Sequence, residues 1–188
     1  MEHKKIIKFL LIIAYIYIGI SFMELYFTIL FNFTKFYYLD AESILFSGFI
    51  YRSSYISFTG SILWIFYNIA VICFLVLGIY IFMTAKTNKM ESKSLAKFMV
   101  VLGMVVLIGA FVKMNFLVLL GKNKLSTLFG SMAFQSALYD FEITQITPAI
   151  FWIFFISSNC AFMISALIIT ALGIKWTLLI ENPENKKE

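Results

Sequence analysis

The stretch that decides the fold runs from Gly60 to Thr84 and reads GSILWIFYNIAVICFLVLGIYIFMT. It contains no charged residue, and it exceeds the about 20 helical residues that cross a bilayer core of about 30 Å. Its apolar residues follow one another without polar alternation, so a helix fits the stretch and a strand of a membrane barrel does not. We therefore predict a transmembrane helix over residues 60–84.

Three further stretches are also long and predominantly apolar, namely Ile6–Phe31, Leu95–Gly121 and Pro148–Gly173. The predicted connections are two long outer loops at 32–59 and 122–147 and one short cytoplasmic loop at 85–94. Four helices use most of the 188 residues, so we predict a single transmembrane domain over 1–188. The predicted fold class is all-α, an integral membrane four-helix bundle.

Composition supports a membrane protein. The chain is 62% hydrophobic and 13% charged, whereas a soluble domain is about half apolar and about a quarter charged. These values exclude an ordinary soluble domain, a disordered chain and a nucleic-acid module. The formal charge of +5 does not indicate nucleic-acid binding, because the basic residues cluster at predicted helix ends. The first expected partner is therefore the lipid bilayer.

The distribution of lysine and arginine predicts the orientation. The N-terminus, the short central loop together with the adjoining Lys97, and the C-terminus hold ten basic residues on one side, against four in the two long loops. We therefore predict a multi-pass protein of the cell membrane with both termini in the cytoplasm.

Parts of the two halves of the chain resemble each other. Tyr51, Thr59 and Trp64-Ile65-Phe66 recur 88 residues later as Tyr139, Thr147 and Trp152-Ile153-Phe154. Chance is one explanation, since apolar sequences align easily, and duplication is the other. Duplication would make two tandem transmembrane hairpins, which form a parallel internal repeat rather than the inverted repeat of many transporters.

Glu24 and Lys113 are the ionisable residues, tyrosine and cysteine aside, that lie well inside the predicted spans. Glu24 follows Lys8 by 16 residues, and Lys113 follows Lys97 by 16 residues. At the rise of an α-helix, both therefore lie about 24 Å from the cytoplasmic edge of the membrane. A charge in hydrocarbon costs several kcal/mol and usually faces the bundle interior. Three interpretations stay open: a structural ion pair, a site for a polar or charged small molecule, and snorkelling to the headgroups without mutual contact.

Two helix faces accompany these charges. A polar stripe on the first helix has spacings of 4, 3 and 4 and consists of Tyr17, Ser21, Glu24 and Thr28. A face with small residues on the third helix consists of Gly103, Gly109, Ala110 and Lys113. Small residues allow close helix approach, so these two faces could meet.

Other polar residues in the spans have structural and functional interpretations. Asn159 is an amide inside the fourth span, and a buried amide needs a partner, either a neighbouring helix or a ligand. Next to it, Cys160, like Cys73, lies in mid-helix without Cys-x-x-Cys spacing. We expect both cysteines to be small buried residues.

The long loops carry a second candidate pair. Arg52 and Asp140 occupy equivalent positions of the proposed repeat and could meet across its pseudo-two-fold axis. An exposed pair of this kind contributes about 0–1 kcal/mol. The first loop is rich in aromatic residues, so we expect it to form short amphipathic helices on the membrane surface or to cap the bundle.

No motif indicates catalysis, a cofactor or a metal. The single histidine is His3, and the chain has no Gly-rich phosphate loop, His-Glu-x-x-His or Gly-x-Ser-x-Gly. We therefore expect no catalytic, cofactor-binding or metal-ligating residues. Enzymatic activity stays open, and the sequence favours a non-enzymatic role.

Two short segments resemble a known family. Lys8–Met23 and Gly109–Met114 are similar to helices of DoxX-like membrane proteins, some of which are subunits of quinone-linked oxidoreductases. That family usually opens its first helix with arginine, where this chain has Lys8. The layout also resembles claudin-type four-helix proteins, but their loop signature of tryptophans and cysteines is missing. Neither likeness covers a catalytic motif.

Three functions follow as hypotheses. The first is a non-enzymatic accessory or structural subunit that joins other membrane subunits or copies of itself. The second is a small-solute transporter or binding protein that uses an intramembrane site at Glu24 and Lys113. The third is a membrane subunit of a quinone-linked oxidoreductase, as the DoxX-like resemblance implies. Nucleic acid is not an expected partner of any of them.

Overall fold

The structure is a computed structural model that describes residues 2–37, 43–51, 58–87, 92–127, 130–139 and 146–181. In chain order its elements are α1 (Glu2–Asn32), β1 (Lys35–Tyr37), β2 (Ser43–Leu45), α2 (Phe46–Ile50), α3 (Phe58–Lys86), α4 (Lys93–Gly121), β3 (Lys124–Thr127), β4 (Gly130–Ala133), α5 (Phe134–Leu138) and α6 (Ile146–Glu181). The four long helices, α1, α3, α4 and α6, are each long and apolar enough to cross a membrane. This confirms the prediction of four membrane-spanning helices.

The long helices extend beyond the predicted spans. Helix α1 begins at Glu2 rather than Ile6, and α6 ends at Glu181 rather than Gly173. The residues added to α1 include glutamate and lysine, which are good helix formers, and those added to α6, from Ile174 to Glu181, are mostly apolar. Both ends can therefore continue the helix.

Buried residues follow one seam along each long helix. In α1 they are Leu10, Ala14, Tyr17, Ser21, Glu24, Thr28 and Phe31. Their spacings alternate between three and four residues, which is the 3.5-residue average of left-handed helix bundles. The predicted polar stripe is therefore part of the buried face of α1. Large apolar side chains such as Tyr15 and Phe22 stay exposed, as expected for a lipid-facing surface.

The two long loops contain strands that the sequence analysis did not predict. In the first, Lys35–Tyr37 pairs antiparallel with Ser43–Leu45, and in the second, Lys124–Thr127 pairs with Gly130–Ala133. A helix of five residues follows each hairpin. Its apolar side chains, such as Phe46 in α2, are buried, and the Phe46 ring contacts Trp64 of α3, so these segments pack on the helices of the second unit.

Contacts divide the chain into two compact units, and each has its own core. The first unit comprises Met1–Phe22, Cys73–Phe111 and Cys160–Glu188, and the second unit comprises Met23–Ile72 and Val112–Asn159. Aliphatic and small side chains dominate the first core, examples being Leu10, Ala96 and Ala166. Aromatic side chains dominate the second, examples being Phe31 and Trp152.

Glycines in the first unit contact helices other than the predicted one. A Cβ on Gly103 of α4 would collide with Thr170 Oγ1 of α6, and one on Gly109 would lie 3.0 Å from Phe74 Cε2 of α3. Of the face that could meet α1, these two glycines therefore have their nearest neighbours in other helices, whereas Lys113 contacts Glu24 of α1. A small residue permits close approach, but its position in the sequence does not specify which helix approaches.

Cys73 and Cys160 are free and exposed, so the expectation that both are buried is also wrong. Residues two positions away, Val71 and Phe162, are buried instead. Every face of these helices is apolar, so hydropathy did not distinguish the buried face from the exposed one.

The capping segments of the two loops share their local geometry. The N–H of Phe46 donates to Thr34 O at 2.8 Å, and the N–H of Phe134 donates to Asn123 O at 2.8 Å. The residues that end the two short helices also have nearly the same backbone angles. Tyr51 has a φ of −98° and a ψ of 1°, and Tyr139 has a φ of −99° and a ψ of 0°.

The single domain, the tandem repeat and the cytoplasmic termini stay predictions.

Candidate functional site

An ion pair lies in the core of the second unit. The Lys113 Nζ of α4 donates to Glu24 Oε2 of α1, and both side chains are fully buried. Their contact follows from the helix seams, since Glu24 is a buried seam position in α1 and Lys113 is one in α4.

Two hydroxyl groups complete the surroundings of the Glu24 carboxylate. The Tyr67 hydroxyl of α3 donates to Glu24 Oε1 at 2.8 Å, and the Ser158 Oγ of α6 donates to the same oxygen at 2.9 Å. Each of the four long helices therefore supplies one side chain to this group. We call Glu24, Tyr67, Lys113 and Ser158 the carboxylate cluster.

The electrostatics of the carboxylate cluster are balanced internally. Moving an ion from water into a low-dielectric interior costs several kcal/mol, and attraction to a counter-ion offsets that cost only with good geometry and additional hydrogen bonds. Glu24 has both a counter-ion and two hydroxyl donors. The Lys113 Nζ also lies 5.5 Å from the centroid of the Tyr67 ring, where the π face attracts a cation.

Aromatic rings surround the carboxylate cluster. Trp64 stacks on Tyr67 with centroids 5.5 Å apart and planes at 16°, and Phe155 lies 5.5 Å from the same tyrosine ring. The Trp64 Nε1 donates to Asn32 Oδ1 at 3.1 Å. Ring contacts of this kind exclude water, and a lower local dielectric strengthens the polar contacts inside.

Asn159 lies at the edge of the carboxylate cluster and is fully buried. Its Nδ2 donates to the Phe155 carbonyl at 2.7 Å, and its side chain also interacts with the Tyr67 hydroxyl. Its Oδ1 is buried and accepts no hydrogen bond from the residues that the structure describes. The amide nitrogen of Asn159 therefore has a partner in its own helix, whereas the amide oxygen has none among the described residues.

Ser21 and Thr28 are buried but bond within their own helix. The Ser21 Oγ donates to the Tyr17 carbonyl at 2.9 Å, and the Thr28 Oγ1 donates to the Glu24 carbonyl at 2.7 Å. Such back-bonding satisfies the hydroxyl one turn earlier in the helix. Neither side chain contacts the Glu24 carboxylate.

The candidate loop pair, Arg52 and Asp140, lies outside the described residues. Among the residues that are described, no group of three or more histidine, cysteine, aspartate and glutamate side chains could hold a metal ion. The polar chemistry of the second unit therefore centres on one carboxylate, one ammonium group, two hydroxyls and an amide.

Sequence reasoning singled out neither Tyr67 nor Ser158 as a site residue, although Ser158 directly precedes the candidate Asn159. A signal was present in the proposed repeat. At the 88-residue offset Tyr67 corresponds to Phe155, and Ser158 corresponds to Ala70. The halves therefore differ in polarity at these positions, and a search for such differences would have found both hydroxyls.

Comparisons with known protein families, with curated proteins and with solved structures gave no match for this chain.

Proposed function

We propose that this chain is a non-enzymatic accessory or structural subunit of the cell membrane, which joins a larger membrane complex or assembles with copies of itself. One observation carries the proposal. Both carboxylate oxygens of Glu24 accept hydrogen bonds from the chain itself, from Tyr67 and Ser158 on Oε1 and from Lys113 on Oε2. The deepest charges therefore hold helices together, and no solute is needed to neutralise them.

The surface of the long helices is consistent with this role. Large apolar side chains are exposed along their length, among them Tyr15 at 63% and Ile108 at 65%. In a bilayer such a surface contacts lipid tails or the helices of another subunit. We propose that part of it is covered by protein.

The orientation and the repeat belong to the same proposal. The ten-to-four bias of basic residues supports cytoplasmic termini. The equal geometry of the capping segments, with Phe46 and Phe134 at an offset of 88 residues, supports two tandem hairpins within one transmembrane domain. A duplicated pair of hairpins would explain why Glu24 and Lys113, at nearly equivalent positions, face one another.

The first test uses the two exposed cysteines, Cys73 and Cys160. Native membranes are treated with a membrane-permeant bis-maleimide, and the protein is then purified in mild detergent and identified with its neighbours by mass spectrometry. We expect a covalent product with a defined partner or a second copy, present in stoichiometric amount. The matched control is the Cys73→Ser, Cys160→Ser double variant, which should lose the product. A chain that stays monomeric and alone in both preparations would contradict the proposal.

The second candidate function is binding or transport of a small polar solute. The observation that favours it is the buried Asn159 Oδ1, which accepts no hydrogen bond from the described residues. A solute with an N–H or O–H donor could satisfy this oxygen. The test is labelling with an apolar carbodiimide, with and without candidate solutes. A solute that changes the labelling of Glu24 and not of the exposed Glu181 would favour this function.

The quinone-linked function has less support. A quinone would need an aromatic surface on which to stack, but rings near the carboxylate cluster already contact one another, as Trp64 and Tyr67 do. A quinone that co-purifies in stoichiometric amount would nevertheless favour this function over the other two.

A further inference from the structure

A groove of about 370 Å³ lies in the first unit, between helices α4 and α6. Its lining residues are Lys97, Val100 and Val101 of α4 and Ile174, Thr177 and Leu178 of α6. Val101, Ile174 and Leu178 are 54%, 47% and 54% exposed, so the groove opens on the outer surface of the helices. Both helices are apolar and long enough to cross a membrane, and a bilayer would therefore cover this surface.

The groove borders a close contact between α4 and α6. A Cβ on Gly173 of α6 would lie 3.0 Å from the backbone nitrogen of Val100 in α4. Gly103 approaches the backbone of Thr170 almost as closely, since its Cβ would lie 2.9 Å from the Thr170 nitrogen. Here the two backbones approach closely, so the helices leave little space between them.

One end of the groove is charged. Lys93 and Glu181 form an ion pair there, with 2.6 Å between Lys93 Nζ and Glu181 Oε1. The antiparallel run of α4 against α6 places this pair one helical turn beyond Lys97. Glu181 also interacts electrostatically with Lys97. Among the described residues, two ammonium groups and one carboxylate give this end a net charge of +1.

We propose that this groove binds an anionic glycerophospholipid, with an acyl chain along the apolar part and the phosphate beside Lys97. The occupant must be apolar between Val101 and Ile174 and negatively charged at the rim. An anionic lipid has both properties and is already present in the surrounding bilayer. Basic pockets between transmembrane helices are established sites for anionic headgroups. The site is independent of the partner proposed above.

The test is native mass spectrometry of the full chain in mild detergent, titrated with phosphatidylglycerol or with phosphatidylcholine of the same acyl chains. We expect phosphatidylglycerol to bind about fivefold more tightly, because one lysine near an anionic headgroup contributes about that factor. The Lys97→Gln variant should lose this preference and leave phosphatidylcholine binding unchanged. The matched control is Lys8→Gln, since Lys8 is an exposed lysine at the corresponding position of α1.

A second variant tests the apolar part of the groove. Val101→Phe fills the space that the acyl chain would use, and it should lower the binding of both lipids. Val105→Phe is the control, because Val105 is exposed one turn further along α4 and does not line the groove. Equal binding of the two lipids by the wild type, or equal losses in Lys97→Gln and Lys8→Gln, would overturn the proposal. Unchanged lipid binding in Val101→Phe would overturn the groove as its location.

Discussion

The two units of the chain hold their helices together by different means. In the first unit, glycines bring backbones into contact, as Gly103 does against Thr170 and Gly173 does against Val100. In the second unit, polar side chains connect the helices, and the Glu24 carboxylate alone accepts hydrogen bonds from three of them.

This difference is instructive because lipid tails are as apolar as the helices. Burial of apolar surface does not drive helix association in a bilayer, which relies on close packing and on interhelical hydrogen bonds. The first unit relies mainly on close packing at glycines, and the second unit relies mainly on interhelical hydrogen bonds. They should therefore respond differently to substitution, and the following experiments test that.

The largest effect is expected from removing one charge of the buried pair. Lys113→Met leaves Glu24 without its counter-ion in the core of the second unit, and we expect the free energy of unfolding to fall by about 3–5 kcal/mol. The double variant Glu24→Gln, Lys113→Met should recover part of this loss. The measurement is titration of the purified protein with a denaturing detergent, followed by circular dichroism. Lys8→Met is the exposed control, and a single variant as stable as this control would show that the pair does not hold the helices.

A smaller effect is expected from enlarging a glycine in the first unit. Gly103→Val places side-chain atoms where Thr170 now lies, and such overpacking costs about 1–3 kcal/mol. The same titration measures it. Gly19→Val is the matched control, because a Cβ on Gly19 would have no neighbour within 4 Å. If both variants lose equal stability, helix propensity rather than close packing is responsible.

The hydroxyl of Tyr67 should contribute less than the charge pair. Tyr67→Phe removes one donor from Glu24 Oε1 but leaves Ser158 and Lys113 in place. A hydrogen bond to a charged group contributes about 1.5–3 kcal/mol, and we expect the lower end of that range because Ser158 donates to the same oxygen. The control is Tyr26→Phe, since Tyr26 is 58% exposed. Equal unfolding free energies of the two variants would remove Tyr67 from the carboxylate cluster.

The smallest effect is expected at the exposed ion pair of the first unit. Lys93 and Glu181 are 48% and 42% exposed, and water and salt screen charges at such positions. Lys93→Gln should leave the unfolding transition unchanged at moderate salt. Repeating the titration of wild type and variant at low and high salt checks this. A loss of stability comparable to that of Lys113→Met would show that solvent exposure does not account for the difference between the two ion pairs.

The four long helices could be predicted from sequence, but which helices contact one another could not. Continuous apolar stretches such as Gly60–Thr84 have one stable form in a bilayer, because only a helix satisfies every backbone group internally. The equal spacing from Lys8 to Glu24 and from Lys97 to Lys113 placed two opposite charges at one depth, and the structure joins them. By contrast, Gly103 gave no indication that its neighbour would be α6.

The sequence by itself determined four membrane-spanning helices and the presence of two deep charges, because chain length, hydropathy and helical rise suffice for both. The tertiary structure decided the buried face of each helix, the donors that reach Glu24 and the exposure of Cys73 and Cys160. These helices are apolar on every side, so hydropathy cannot distinguish a face that contacts protein from one that contacts lipid. That choice depends on contacts between residues far apart in the chain, such as the hydroxyls of Tyr67 and Ser158 on one carboxylate.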